Sequence, residues 1–143
     1  MRYSFANLPD PYFPEIQYIH LKKMDDRIKG EIADYRLDRS GILYSYSRNI
    51  KRTVGNLNRN AILVRSIAGK LPVPLLIFLE RSPVPDKAAR ELSRKLLPEL
   101  YSAMAMVAKN SLSSLVMKMV FRFQKPPIPI RTFENETEAR EWL

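Results

Sequence analysis

Two apolar segments, separated by a stretch long enough for a helix, constrain the fold of this chain more than any other feature. The first is Val73–Glu80 and the second is Ser102–Ala108, and no charged residue occurs from Val73 to Leu79. A strand that is apolar along its whole length is typical of parallel strands covered on both faces. The stretch between them is long enough for the helical crossover that a parallel connection requires. We therefore predict that the two segments are neighbouring, parallel, central strands of an α/β sheet.

The segments on either side of this pair predict further strands. Apolar and polar residues alternate in Ile32–Asp38 and again in Ile42–Arg48, which predicts a hairpin with Gly41 in its turn. Ile128–Phe133 predicts a short final strand. The pattern as a whole predicts an α/β fold with a mixed, mostly parallel sheet of about five strands and about four helices.

The first predicted helix runs from Thr53, a suitable N-cap, to Ala68, and Gly69 is a natural residue to end it. Its apolar residues recur at helical spacing and form one buried stripe. The polar residues around the opposite side are predicted to face outward: Arg52, Asn56, Arg59 and Asn60.

Three more helices are predicted towards the C-terminus. One begins at Asp86, and Pro98 is expected to break or kink it near Leu97. Another begins at Asn110 or Ser111 and runs to about Gln124. The last is capped by Asn135, spans Glu136 to Leu143, and is predicted to turn three side chains towards the sheet: Ala139, Trp142 and Leu143.

The chain is basic, and its charge is unevenly distributed. The net charge is +9, and the stretch Arg39–Leu79 holds seven basic and no acidic residues, while Leu100–Phe133 holds five and none. Such blocks favour anionic partners, although a solvated face of a basic protein is the interpretation that we favour. The sequence has no cysteine, no apolar run long enough to span a membrane and no secretory signal, so we expect a cytoplasmic protein.

No motif for catalysis or cofactor binding is present. His20 is the only histidine, there is no Gly-x-Ser-x-Gly elbow, and the four glycines form neither a phosphate loop nor a dinucleotide fingerprint. The spacing of potential ligands does not suggest a metal site. We therefore expect a protein that is not an enzyme, with no catalytic residue, no cofactor and no metal.

One local pattern suggests an anion site. The start of the third predicted helix follows a central strand, where backbone N–H groups and the helix dipole favour a phosphate or carboxylate. The candidate residues there are Lys109, Asn110, Ser111, Ser114, Lys118 and Arg122. Simple capping of the helix by Asn110 or Ser111 is the alternative.

Residues 1–30 are predicted to form a separate, Pro-rich and aromatic arm that includes a short strand. Its aromatic side chains have no evident place in the domain, and we expect them to contact a second copy of the chain in a homodimer. These side chains are Tyr3, Phe5, Tyr12 and Phe13.

The order of elements and several motifs resemble the SpoIIAA-like branch of the STAS superfamily, and most closely its uncharacterised bacterial members. The residues that carry the resemblance are Val73–Ile77, Ala88–Arg90, Ser102–Val107, Lys125–Pro129 and the acidic ending Phe133–Leu143. The likeness covers roughly Ile32 to Leu143, so we place the domain at residues 31–143. It implies a non-enzymatic regulatory module that binds another protein.

In anti-sigma-antagonist proteins of that type, a serine at the start of the helix after the first central strand is phosphorylated. Here Asp86 is followed by Lys87-Ala88, where a serine-containing motif would stand, so we expect no serine phosphoswitch. The corresponding surface remains our candidate for contact with a protein partner: Ser82, Asp86, Lys87 and Arg90.

Two alternatives to protein binding stay open. The basic stretches could bind an anionic or apolar ligand, such as a lipid head group or acyl chain at a membrane. They could also bind nucleic acid, because Tyr44 and Tyr46 offer stacking surfaces and lie close in sequence to four basic residues: Arg48, Lys51, Arg52 and Arg59.

Overall fold

The computed structural model describes residues 26–108 and 125–143, which form a six-stranded sheet with three helices. In chain order the elements are β1 (Ile28–Lys29), β2 (Ala33–Leu37), β3 (Leu43–Ser47), α1 (Val54–Ala68), β4 (Val73–Phe78), α2 (Lys87–Leu100), β5 (Tyr101–Val107), β6 (Ile130–Phe133) and α3 (Glu136–Trp142). The predicted α/β class with a mixed sheet is confirmed. The sheet has six strands rather than about five, and the predicted helix between β5 and β6 lies outside the described residues.

The strands lie in the sheet in the order in which they occur in the chain. β1, β2 and β3 pair antiparallel, whereas β3, β4, β5 and β6 pair parallel to one another. The two apolar segments therefore are adjacent parallel strands, as predicted, with Leu75 opposite Met104 and Leu76 opposite Ala105. The added strand, β1, has only two residues, which is too short for an alternating pattern to reveal.

The predicted hairpin and its turn are both present. Gly41 has a φ of +89°, a conformation that favours glycine because it has no Cβ. Asp38 stabilises the turn, since its Oδ1 accepts hydrogen bonds from the Ser40 hydroxyl at 2.6 Å and the Ile42 N–H at 3.0 Å. The turn thus fixes the register that places Tyr35 opposite Ser45.

Helix α1 begins and ends where the sequence predicts, but its polar residues do not all face outward. Thr53 and Asn56 form a reciprocal capping box, and the Asn56 amide also donates to the Lys51 carbonyl, so this side chain is buried. Asn60 accepts a hydrogen bond from the Tyr35 hydroxyl on the sheet. The prediction that Arg52, Asn56 and Asn60 point away from the core was wrong, because each one satisfies its polar atoms with partners inside the fold.

The prediction that Pro98 interrupts α2 was also wrong. The helix continues to Leu100, with Pro98 in its last turn. A proline removes one backbone donor and crowds the preceding turn. Here the buried side chains of Leu97 and Leu100 anchor that turn, and the Tyr101 N–H bonds the Leu97 carbonyl to close it.

Strand alternation divides the core into two layers on opposite faces of the sheet. On one face, Leu43 and Leu75 pack with Ala61 and Val64 of α1 and with α2. On the other face, Tyr44, Leu76 and Ala105 pack with Ala139 of α3, which is completely buried. Trp142 and Leu143 join this second layer, as the sequence predicts.

A polar cluster fastens α3 to the hairpin turn. Arg140 donates to Asp38 Oδ2 at 2.6 Å and also to the Tyr44 hydroxyl, which in turn contacts Glu136 Oε1 at 3.0 Å. Burial alone would raise the pKa of Asp38. Hydrogen bonds from Ser40, Arg140 and the Ile42 N–H outweigh that effect, so the pKa lies below 3.8.

Replacing Asp38 should remove stability that depends on pH. The folded state lowers the pKa of Asp38, so its contribution is present above about pH 4 and is lost as pH falls through the folded-state value. We expect Asp38→Asn to lower the free energy of unfolding at pH 7 by roughly 1–3 kcal/mol. The difference from the native chain should vanish near pH 2 in urea titrations, whereas Asp26→Asn at an exposed position should change little at either pH. A deficit that persists at pH 2 would contradict this account.

Candidate functional site

A cavity of about 240 Å³ lies between the sheet and the two helices α1 and α2. Its wall includes residues from strands β2 to β5, from both helices and from the loop that follows β4. The lining is mostly apolar, and its sheet and helix side chains include Leu57, Leu75, Ile77, Leu96, Leu97, Met104 and Met106. The two methionines adapt readily to the shape of an apolar partner. The cavity therefore offers a mostly apolar interior bordered by four strands and two helices.

Two tyrosines place hydroxyl groups on this otherwise apolar wall. The Tyr35 hydroxyl donates to Asn60 Oδ1 at 2.8 Å, which links β2 to α1. Burial raises the pKa of Tyr101 well above its usual range, and the neighbouring Tyr35 raises it further. Burial also raises the pKa of Tyr35, although hydrogen bonds with Asn60, Ser45 and Tyr101 partly oppose this. Both tyrosines are therefore neutral at physiological pH and serve as hydrogen-bonding groups.

Arg52 is a charged residue in this mostly apolar wall, and four hydrogen bonds to neutral acceptors hold its side chain. One of its terminal nitrogens donates to the carbonyls of Arg48 and Ile50, both at 2.7 Å. The other donates to the Ile32 carbonyl at 3.2 Å and to the Ser47 hydroxyl at 2.6 Å. These bonds tie both hairpin strands to the start of α1 and fix the guanidinium in one position.

The charge of Arg52 is solvated by neutral groups only. Burial lowers its pKa, although the group remains protonated at any physiological pH. None of the ion pairs within residues 26–108 and 125–143 includes it. A partly buried cation without a carboxylate partner attracts an anion, because the surrounding protein screens the interaction weakly.

The mouth of the cavity is formed by the loop that connects β4 to α2. Glu80, Arg81 and Pro83 are exposed there, and Ser82 and Arg90 are partly buried behind them. Arg90 donates to the Pro85 carbonyl at 2.6 Å, which fixes the loop to the helix. Three arginines and one glutamate among the described lining residues give the wall a net charge of +2. A ligand that enters here meets a basic rim.

The predicted partner surface falls partly on this mouth. Ser82 and Arg90 line the cavity, whereas Asp86 caps α2 by accepting a hydrogen bond from the Ala89 N–H at 2.9 Å. Lys87 is exposed and lies 3.9 Å from Glu91 on the same helix. The four residues thus lie on one segment, but two of them face the cavity and two face away from it.

The other candidate sites lie outside the described residues. These are the anion site (Lys109, Asn110, Ser111, Ser114, Lys118 and Arg122) and the dimer arm (Tyr3, Phe5, Tyr12 and Phe13). They stay predictions. Within the described part of the chain, no group of three or more His, Asp or Glu residues could hold a metal ion, and no helix is both long and apolar enough to cross a membrane.

Tyr35 and Tyr101 were not predicted as site residues, and Asn60 and Arg52 were predicted to face outward, yet all four line the cavity. The alternation of β2 does place Tyr35 on the same face as Ala33, so its burial could have been inferred. No local signal reveals that Asn60 and Arg52 turn inward, since their partners lie on other elements. Sites of this kind depend on tertiary contacts that spacing alone does not encode.

These features define an α/β domain with a mixed sheet and an apolar cavity that has a basic rim. Residues 35–143 match the family described as a domain of unknown function, DUF7793, and the chain belongs to that family. The match includes every strand from β3 onward and all three helices. No curated protein and no solved structure is similar enough to count as a match. The resemblance to STAS domains therefore stays a prediction.

Alkaline titration should reveal the two buried tyrosines. Their raised pKa values mean that the folded state holds these protons more tightly than the unfolded state. Their contribution to the free energy of unfolding is therefore fully present below about pH 10 and is lost as pH rises further. We expect absorbance at 295 nm to show neither hydroxyl ionising before the chain unfolds. Tyr101→Phe should leave the reversible phase below pH 10.5 unchanged in amplitude, and a smaller reversible phase would contradict the assignment.

Proposed function

We propose that this domain is a non-enzymatic binding module, and that the cavity beneath α1 and α2 holds a small ligand with an apolar body and an anionic head. The observation that carries the proposal is the combination of a mostly apolar wall with the partly buried cation Arg52, which has no carboxylate partner among the described residues. Concave apolar sites with a few fixed polar groups are the usual form of small-molecule sites.

The size of the cavity supports a compact ligand. Its 240 Å³ is slightly below the roughly 300–1,000 Å³ of sites for drug-sized molecules. An apolar body would displace water from Ile77, Met104 and Met106, and each buried methylene would contribute about 0.8 kcal/mol. A medium-chain carboxylate has this combination of size and polarity.

The electrostatics of the wall support an acidic head group. Arg52, Arg81 and Arg90 outnumber Glu80, and the two neutral tyrosines add hydrogen-bond donors without adding negative charge. Arg52 is held in place by its four backbone and hydroxyl contacts, so it loses little freedom when a carboxylate approaches. A neutral molecule of the same shape would not compensate the positive charge of the Arg52 guanidinium.

A regulatory, protein-binding role of the kind that the STAS resemblance implies is the second candidate. The observation that favours it is the position of Ser82 and Arg90, which line the cavity on the same loop and helix as the exposed Lys87. A ligand in the cavity would change the conformation of the loop at its mouth. A protein partner that contacts Lys87 would then bind with a different affinity. The two candidates are therefore compatible, with the ligand acting as the signal.

Filling the cavity should abolish ligand binding. Ile77 is only partly buried and its side chain lines the wall, so Ile77→Trp should occupy the space that the apolar body needs. We expect the native chain to bind decanoate in isothermal titration, and the variant to bind at least about tenfold more weakly.

The matched control is Ile62→Trp. Ile62 is 68% exposed on the outer side of α1 and is not part of the lining, so decanoate binding should remain as in the native chain. Urea titration of both variants verifies that each is folded. The proposal fails if the folded native chain binds neither decanoate nor decanol at millimolar concentration, or if both variants bind equally well.

Removing the charge of Arg52 should change ligand preference rather than affinity alone. We expect the native chain to prefer decanoate over 1-decanol, and Arg52→Gln to reduce the ratio of the two affinities about tenfold, equivalent to roughly 1.4 kcal/mol. Arg65→Gln, at an exposed position where Arg65 pairs with Glu99 at 3.0 Å, changes the net charge equally and should keep the ratio. If Arg52→Gln weakens both ligands by the same factor, Arg52 has only a structural role.

A further inference from the structure

A row of aromatic side chains crosses the face of the sheet that α3 only partly covers. Tyr46 on β3 lies opposite Phe78 on β4, which lies opposite Val107 on β5 and, beyond it, Phe133 on β6. The preceding row, which contains Tyr44, Leu76 and Ala105, is buried beneath α3. The row from Tyr46 to Phe133 is only partly buried, and the helix contacts it at the β6 end, where the rings of Trp142 and Phe133 are 5.8 Å apart between centroids.

Two aromatic rings in this row, those of Tyr46 and Phe78, are stacked in parallel. The rings of Tyr46 and Phe78 are 5.2 Å apart between centroids, with an angle of only 8° between their planes. The guanidinium carbon of Arg27 lies 3.4 Å from the centroid of Tyr46. Arg27, Tyr46 and Phe78 therefore form a column of three stacked planar groups on the sheet surface. Stacked planar groups of this kind also accept nucleobases, on aromatic rings or on arginine planes.

Basic charge is concentrated at the β1–β2 end of the row. Arg27 is exposed, and Arg36 lies 4.2 Å from the ring centroid of Tyr44. Neither belongs to an ion pair within the described residues. Of the described carboxylates near these two arginines, Asp34 pairs with Arg48 and Asp38 pairs with Arg140, whereas Asp26 is exposed and adjacent to Arg27 in the sequence. Within the described residues, Arg27 and Arg36 together outweigh Asp26, so this end of the face carries net positive charge.

The opposite end of the row carries mostly negative charge. Glu134, Glu138 and Glu141 surround Phe133 and Arg131 in a recess beside α3. A polyanion would be repelled from these carboxylates and attracted to the β1–β2 end. The usable surface is thus limited to four residues that we call the aromatic platform: Arg27, Arg36, Tyr46 and Phe78.

We infer that the aromatic platform binds single-stranded nucleic acid, with bases stacking on the column and phosphates contacting Arg27 and Arg36. Single strands fit because their bases are free to stack, whereas the bases of a duplex are not exposed. An acidic protein segment would satisfy the charges but would gain nothing from the stacked rings. The inference concerns a different face of the sheet from the cavity, so it does not rest on the proposed function.

The test uses the full chain and fluorescence anisotropy with labelled 12-nucleotide single-stranded RNA and DNA of mixed sequence. We expect binding at 50 mM salt that weakens steeply by 200 mM salt. The double variant Arg27→Gln/Arg36→Gln should bind at least about tenfold more weakly. The slope of its log affinity against log salt concentration should be shallower by the amount expected for about two phosphate contacts. Phe78→Leu, which keeps an apolar side chain but removes the ring, should weaken binding at least about fivefold.

The matched control is Lys70→Gln/Lys95→Gln, which makes the same change in net charge at two exposed positions away from the platform. It should change the affinity by less than about threefold. Ile77→Trp, which fills the cavity, should leave nucleic-acid binding intact and so separates this inference from the proposed function.

Four results would overturn the inference. The first is that neither strand binds at 50 mM salt, and the second is that the platform and control variants lose the same amount of affinity. The third is that polyglutamate or anionic vesicles compete with the labelled strand as well as unlabelled RNA does. The fourth is that Phe78→Leu binds with native affinity. Circular dichroism of every variant establishes that the chain is folded before its binding is compared.

Discussion

The parallel pairing of β4 with β3 and β5 is the constraint on which the rest of the structure depends. Leu75 and Leu76 are almost completely buried on opposite faces of β4, so both faces need a covering layer. On one face the two crossover helices provide it, and on the other face the short helix α3 does. The coverage is unequal: a cavity lies between the sheet and α1 and α2, whereas the aromatic row on the side of α3 is only partly buried.

Arginine serves three different purposes in this small domain because its planar guanidinium combines charge, donors and a stacking surface. Arg52 links strands and helix through four neutral acceptors, and Arg140 fastens α3 through Asp38 and the Tyr44 hydroxyl. Arg27 stacks on Tyr46 at the surface. The net charge of +9 is therefore not a uniform surface property. Part of it is used in contacts within the fold, and part of it is exposed at the surface.

The features that sequence predicted well are those set by neighbours along the chain. The apolar runs predicted the two central strands, Gly41 predicted the hairpin turn, and Thr53 and Asn135 cap their helices as expected. Asp86 was predicted as the first helical residue and is instead the N-cap of α2. The wrong predictions for Pro98, Asn56 and Arg52 share one cause. Each was predicted from the usual preference of its residue type, which is a helix break for proline and an exposed position for asparagine and arginine. Each is accommodated by contacts from elsewhere in the fold, and the cavity is formed by such contacts. For this reason the architecture could be predicted, but the cavity could not.

The apolar lining of the cavity also has an energetic consequence. Leu75 and Met104 border open space, and water beside them finds no hydrogen-bond partners on their side chains. Arg52 and the Tyr35–Asn60 bond add fixed polar groups to the same wall. A ligand that covers the apolar part would remove this surface from water at about 25 cal/mol per Å². Because such a ligand binds the folded state only, its binding would raise the free energy of unfolding.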